Sequence, residues 1–215
     1  MSLQADLFFS FRSPYSYLAI GRYRQLTENY TVDIALRPVT PLALRQPDFF
    51  ENNHPNWLRY TIIDVARVAQ QLGLPLAPPN PDPIVQDLAT RKIAAEQPYI
   101  HRITRMGQAA SNAGRGIQFA DEAAKLIWSG TKDWHHDEPL TGAATRAGLE
   151  FSLLASAADQ EYRDLDAQIA ANEAALEAAG HWGVPTLAFR GEPFFGQDRI
   201  DLAILRMEQA GLAPR

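Results

Sequence analysis

Cysteine is absent from all 215 residues. That excludes disulfides, thiolate metal sites and any redox cycle on the protein's own sulfur. No continuous apolar run approaches the roughly 18 residues a membrane span needs. The chain begins with Gln4 and Asp6 where a basic and then apolar leader would stand, so a cytoplasmic protein is expected. The net charge is −5 with no dense Lys or Arg run, which argues against nucleic acid or an anionic membrane as partner. Internal repeats and low-complexity tails are also missing. What remains, at 46% hydrophobic and 21% charged residues, is globular chain able to bury a substantial core.

Ala5, Leu7, Phe9 and Phe11 alternate over 4–11 and predict a core strand, with Phe8 showing that its other side is partly covered. Residues 14–28 set Tyr15, Leu18, Ala19 and Leu26 on one helical stripe, and Val32, Ile34 and Leu36 alternate in a second strand ending at Pro38. Strand, helix, strand is the unit of a parallel pair with its crossover. From Pro41 to about Gly180 the spacing turns helical, over 57–72, 85–113, 117–129, 140–147 and 159–179. The proline-dense stretch 74–83 reads as a rigid connection. Strand signals return at 186–190 and 193–195 around a turn at Gly191-Glu192, and a helix through Ile200, Leu202, Ala203 and Met207 closes the chain. This order predicts an α/β, thioredoxin-like fold in which residues 1–40 and 181–215 form one discontinuous domain and 41–180 an all-helical insertion.

The chemistry centres on Ser13, which ends the first strand's loop and precedes Pro14 at the start of the first helix. Ser before Pro can simply cap a helix. The same position offers a hydroxyl at the positive end of the helix, where unpaired N–H groups favour an anion. Far downstream, Pro185 either marks the first position of a strand in trans or, in cis, turns the backbone of Val184 outward so that a tripeptide can add as a short strand. Asp198 is the N-cap of the last helix, a carboxylate for a ligand's amino group or, having two side-chain oxygens, both. Arg12 and Arg45 are surface charges or receivers of a substrate carboxylate. Trp182 covers the core or lines a pocket, and Arg59, Tyr60 and His101 are further cleft candidates. His135-His136 sits in a polar loop whose adjacent side chains seldom converge on one ion, so no metal site is expected. No Gly-x-Ser-x-Gly elbow surrounds Ser13, which argues against a hydrolase triad.

Taken together, Ser13-Pro14-Tyr15-Ser16-Tyr17-Leu18, the block from Ile63 to Leu76, Gly183-Val184-Pro185-Thr186 and Phe195-Gly196-Gln197-Asp198-Arg199 resemble the 2-hydroxychromene-2-carboxylate isomerases. These are a branch of the kappa-class glutathione transferases, related to the DsbA-type thioredoxin fold. The resemblance implies glutathione as cofactor, with its sulfur held by Ser13 and its cysteinyl backbone paired beside Val184 and Pro185. Phe194-Phe195-Gly196-Gln197-Asp198 stands where the family has Trp-Trp-Gly-Asn-Asp, so Phe195, Gly196, Gln197, Asp198 and Arg199 are expected at the γ-glutamyl end, with Trp182 nearby. Asn53, with Asn52 as the alternative register, falls on the family's ligand-facing asparagine. Arg45 aligns nearest to the lysine that takes the substrate's acid group, with His54 on the same substrate side. A substrate tyrosine of the family falls on Pro81. A small aromatic or electrophilic substrate and a homodimer are further implications.

A free thiol near pKa 8.5 needs about 2.7 kcal/mol of thiolate stabilisation to fall by roughly two units. A helix N-terminus supplies about 0.3–1 kcal/mol, up to about 2 when partly buried. A donated hydroxyl adds about 1.5–3 kcal/mol, which casts Ser13 as a donor to sulfur and not as a nucleophile. The expected reaction is a cis–trans isomerisation by reversible thiolate addition, in aromatic-compound catabolism. The alternatives are a kappa-type transferase or peroxidase acting on another electrophile, and a non-catalytic binding protein.

Overall fold

The computed structural model describes residues 2–49, 54–87 and 92–215. Strand β1 (Leu3–Phe9) leads through helix α1 (Pro14–Asn29) to β2 (Val32–Pro38). The helices that follow are α2 (Leu42–Arg45), α3 (Pro55–Leu72), α4 (Pro98–Asn112), α5 (Gly116–Trp128), α6 (Asp137–Arg146), α7 (Phe151–Gln160) and α8 (Tyr162–Ala178). A hairpin of β3 (Thr186–Phe189) and β4 (Glu192–Phe195), a 3-10 turn (Gln197–Arg199) and α9 (Ile200–Gln209) complete the chain.

The strands form one sheet in the order β2-β1-β3-β4. β1 runs parallel to β2, with Leu7 opposite Leu36, and antiparallel to β3, with Leu7 opposite Leu187. The crossover through α1 makes the first pairing parallel, and the two-residue turn makes the β3–β4 pairing antiparallel. That turn is Arg190-Gly191, with φ of 51° and 83°, the pair of positive angles a tight hairpin favours.

Alternation decides which face each strand buries. Leu7, Phe9 and Phe11 join Leu18, Tyr23, Leu36, Phe119 and Leu187 in the main core, while Phe8 turns to the opposite face and packs with Val39 and Leu176. α4, α5 and α8 each pack on β2, and α5 lies along α1, so the inserted helices share the sheet's own core.

The expected strands, α1 and α9 are all found, and two helical expectations change. The 85–113 spacing yields helix only from Pro98, because proline suits a first helical position and disfavours helix in the residue before it. Upstream, Gln97 ties the loop instead, its amide bonding Val85 N–H and C=O and the Ala94 carbonyl. α7 was unexpected: only Leu154 and Ala158 of its ten residues are buried, too little apolar signal to mark a stripe.

Candidate active site at the start of helix α1

Ser13 both caps and reaches. Its Oγ accepts the Ser16 N–H at 3.2 Å and donates to the Val184 carbonyl at 3.3 Å, 171 positions later. Its own N–H is held by the Ser10 carbonyl at 3.0 Å. The first turn of α1 contains no acidic residue to neutralise the positive helix end. The Val184–Pro185 peptide is cis. Around it, Gly196 N–H donates to the Pro185 carbonyl at 2.9 Å and Thr186 Oγ1 to the Gly183 carbonyl at 2.7 Å. The Val184 N–H has no hydrogen-bond partner among the described residues.

Asp198 does not cap the last helix. Gly196 precedes the 3-10 turn, Arg199 precedes α9, and neither terminus has a side-chain cap. The Asp198 carboxylate instead takes a guanidinium N–H of Arg199 at 2.8 Å, with the two side chains 57% and 52% exposed. So exposed a pair is cheap to exchange for another partner. Gly196 is required where it stands, because its φ is 104° and a Cβ there would lie 2.6 Å from Asp198 Oδ1. Gln197 is partly buried beside it.

Aromatic rings border the same turn. Trp182 stacks on His181 at 5.2 Å between centroids, and His181 stacks on Phe195 at 3.9 Å. Phe49 lies 5.0 Å from Trp182 and 5.8 Å from Trp57, continuing the wall into the helical insertion. Arg45 anchors it: Nη2 donates to the Trp182 carbonyl at 2.9 Å and Nε to the Thr40 carbonyl at 2.8 Å. Burial holds the Arg45 pKa below its ordinary value, against the pull of Glu173 and Glu177. Two of its donating nitrogens serve the backbone, and among the described residues Nη1 makes no hydrogen bond, which leaves it for the substrate role expected of Arg45.

His54 precedes α3, and its Nδ1 accepts the Asn56 N–H at 3.1 Å. Asn53 and Asn52 lie outside the described residues. Arg12 is not available to a substrate carboxylate, because its fork is filled by Asp82 at 2.5 and 2.7 Å and its guanidinium lies over Trp128. His101 borders a cavity of about 130 Å³ with Thr40, Thr104 and Glu173. The loop of His135 and His136 brings one donor atom each of Asp133, His135 and His136 within 4.8 Å of one another, with Asp133 and His136 exposed. Pro81 follows a cis peptide, and its carbonyl accepts from Trp134 Nε1.

A cluster that sequence reasoning missed stands beside Pro14. Tyr15 donates its phenol to Asp64 Oδ2 at 2.7 Å, and Tyr60 donates to Asp64 Oδ1 at 3.4 Å. Burial, then the bond to Asp64, pushes the Tyr15 pKa far up, so the phenol stays protonated. Tyr60 and Asp64 were legible as helical i,i+4 neighbours. Their meeting with Tyr15 was not.

A serine-capped helix facing a cis-proline turn on a β2-β1-β3-β4 sheet defines a thioredoxin-type protein without a thiol of its own. The model of the DSBA-like thioredoxin domain matches residues 4–206, and the chain belongs to that family. Among solved structures it is similar to a 2-hydroxychromene-2-carboxylate isomerase, at 23% identity over 97% of this chain and 96% of that one, with a TM-score of 0.64. It is similar also to a probable DsbA oxidoreductase from Streptomyces coelicolor, at 15% identity over 97% and 89% of the two chains, with a TM-score of 0.65. The cytosolic disulfide reductase DsbM from Pseudomonas aeruginosa is a third, at 18% identity over 97% and 99%, with a TM-score of 0.60. No curated protein matches the chain. Among the described residues, no helix is long and apolar enough to cross a membrane.

Proposed function

We propose that this chain is a glutathione-dependent cis–trans isomerase of the 2-hydroxychromene-2-carboxylate type, working in the cytoplasm on a small conjugated aromatic substrate. The observation that carries the reading is the Ser13 hydroxyl, held at an unneutralised helix start and 3.3 Å from the carbonyl that precedes the cis proline. In a chain with no cysteine, a sulfur at that position must come from a ligand. A structure of DsbM with glutathione gives a precedent for that cofactor on the same fold.

The residues fit the cofactor. The free Val184 N–H is the donor an extended cysteinyl backbone needs, and it lies outside the sheet's own ladder. Asp198, bound among the described residues only through an exposed pair, can turn to the γ-glutamyl amino group, while Gln197 and Arg199 flank it. Glutathione, when bound, supplies a thiolate that adds reversibly to a conjugated double bond and leaves again. Ser13 stabilises that thiolate by turning its hydroxyl proton from the Val184 carbonyl to sulfur, while its lone pair keeps the Ser16 N–H. The aromatic wall at Trp182 and Phe195 keeps water from one side of the acceptor. Residues 41–180 provide the substrate side, with Asn53, His54 and Arg45 as candidate contacts. The exposed Leu58, Tyr60, Ile62 and Ile63 of α3 support a homodimer.

A second reading, transfer of glutathione to an electrophile, is favoured by Pro81, which leaves the family's substrate tyrosine without a counterpart. One incubation separates them. Conversion of hydroxychromene carboxylate with glutathione recovered intact is the expected result. Accumulation of a conjugate selects transfer, and neither product, with glutathione still bound, leaves a binding role.

A further inference from the structure

His181 is the one ring of the aromatic wall that carries hydrogen-bonding nitrogens on both edges, and the structure fixes what each does. Nδ1 accepts the Gly183 N–H at 2.8 Å, so that nitrogen carries no proton and the neutral ring must bear its proton on Nε2. Burial also holds the imidazole's pKa below its ordinary value, which keeps the ring neutral at pH 7. Nε2 makes no hydrogen bond among the described residues, yet the side chain is only partly buried. The ring cannot easily turn away. It lies face to face on Phe195 at 3.9 Å between centroids and 18°, has Trp182 beside it at 5.2 Å and 22°, and is tied through Nδ1 to the Gly183 N–H. The result is an oriented N–H on a partly exposed aromatic wall, three residues before Val184, with no partner among the described residues.

We propose that His181 determines specificity at this site, its Nε2–H donating to an oxygen conjugated with a planar aromatic ring that stacks on the wall of Trp182 and Phe195. Trp182 and Phe195, 41% and 42% exposed, supply the apolar contact that any flat ring would gain. His181 adds discrimination, because an acceptor oxygen meets a donor already oriented, whereas a ring lacking one leaves Nε2–H to water. The inference rests on the glutathione site proposed above only in placing the acceptor next to the sulfur.

The test compares two probes, 2-naphthoate and naphthalene, by quenching of tryptophan fluorescence in the whole protein, with glutathione binding measured separately by calorimetry. His181→Phe keeps a stackable ring and removes the donor. It should weaken 2-naphthoate about tenfold, the effect of one lost hydrogen bond to a charged acceptor, and leave naphthalene within about twofold. His181→Gln, which puts an amide N–H near the place of Nε2–H, should recover part of the loss. Equal weakening of both probes, no weakening of either, or no binding of 2-naphthoate to the native protein overturns the proposal. Native protein that discriminates the probes but ignores glutathione overturns the cofactor reading alone.

Discussion

Helices α1 and α3 both begin at a proline whose preceding side chain accepts a first-turn N–H, Ser13 from Ser16 at 3.2 Å and His54 from Asn56 at 3.1 Å. Beyond that shared start they part. Ser13 is met from the far end of the chain by the Val184 carbonyl, and α1 is anchored along its length by Leu18, Tyr23 and the Arg24 pairs with buried Asp121 and Glu122. His54 is exposed, and α3 leaves Leu58, Tyr60 and Ile62 at the surface over its first turns. Local chemistry thus writes the same cap twice, and only at Ser13 does a tertiary partner join the cap to the cis-proline turn.

The largest effect expected from breaking this contrast is on turnover. Ser13→Ala should cut isomerisation about 10²–10³-fold, as loss of one preorganised donor does, while glutathione affinity changes little. Steady-state kinetics beside calorimetry reads both, and an unchanged rate removes Ser13 from the mechanism.

The anchoring of α1 is tested next. Burial alone would raise the Glu122 pKa, but hydrogen bonds from Arg146 and Arg24 outweigh it and hold the carboxyl below its ordinary value. A depressed folded-state pKa means that this stability is complete above the usual glutamate range near about 4.3, and is lost as pH falls through the folded-state value. Glu122→Gln should therefore cost about 1.5–3 kcal/mol at neutral pH and flatten the fall of Tm on acidification. Parallel Tm curves for both proteins would contradict it.

Gly196→Ala should destabilise by about 1–3 kcal/mol through its positive φ and the Asp198 clash, and should weaken glutathione binding measured by calorimetry. Retained affinity would detach Asp198 from the γ-glutamyl end. The smallest effect belongs to the caps themselves: Ser13→Ala should lower stability by about 1 kcal/mol, and His54→Ala by no more than about 0.5, both read from denaturant midpoints. Equal losses would erase the distinction between the two helix starts.

Much of the sheet was legible in the sequence because period-two burial is local: Leu7, Phe9 and Phe11 alternate with polar or oppositely buried neighbours, and Val32, Ile34 and Leu36 do the same. The Ser13 and Pro185 positions were legible as alternatives, capping against anion binding and trans against cis, and folding supplies both the cap and the long-range contact. What stayed hidden depends on chain closure. Arg12 and Asp82 are 70 positions apart, Tyr15 and Asp64 are 49 apart, and no spacing rule links either pair. The His181 stack needs the β3–β4 hairpin to return Phe195 beside it. Of the two readings of Asp198, capping fails: a carboxylate just before an apolar run has that signature, but the 3-10 turn at Gln197 moves the helix start past it.

The most direct test of the central claim is a pH titration of bound glutathione, followed by thiolate ultraviolet absorbance, with native protein and Ser13→Ala. A thiol pKa well below about 8.5 on the native protein, returning toward that value in the variant, is the expected result. Glutathione that binds both proteins with the same unshifted thiol, or binds neither, would contradict it.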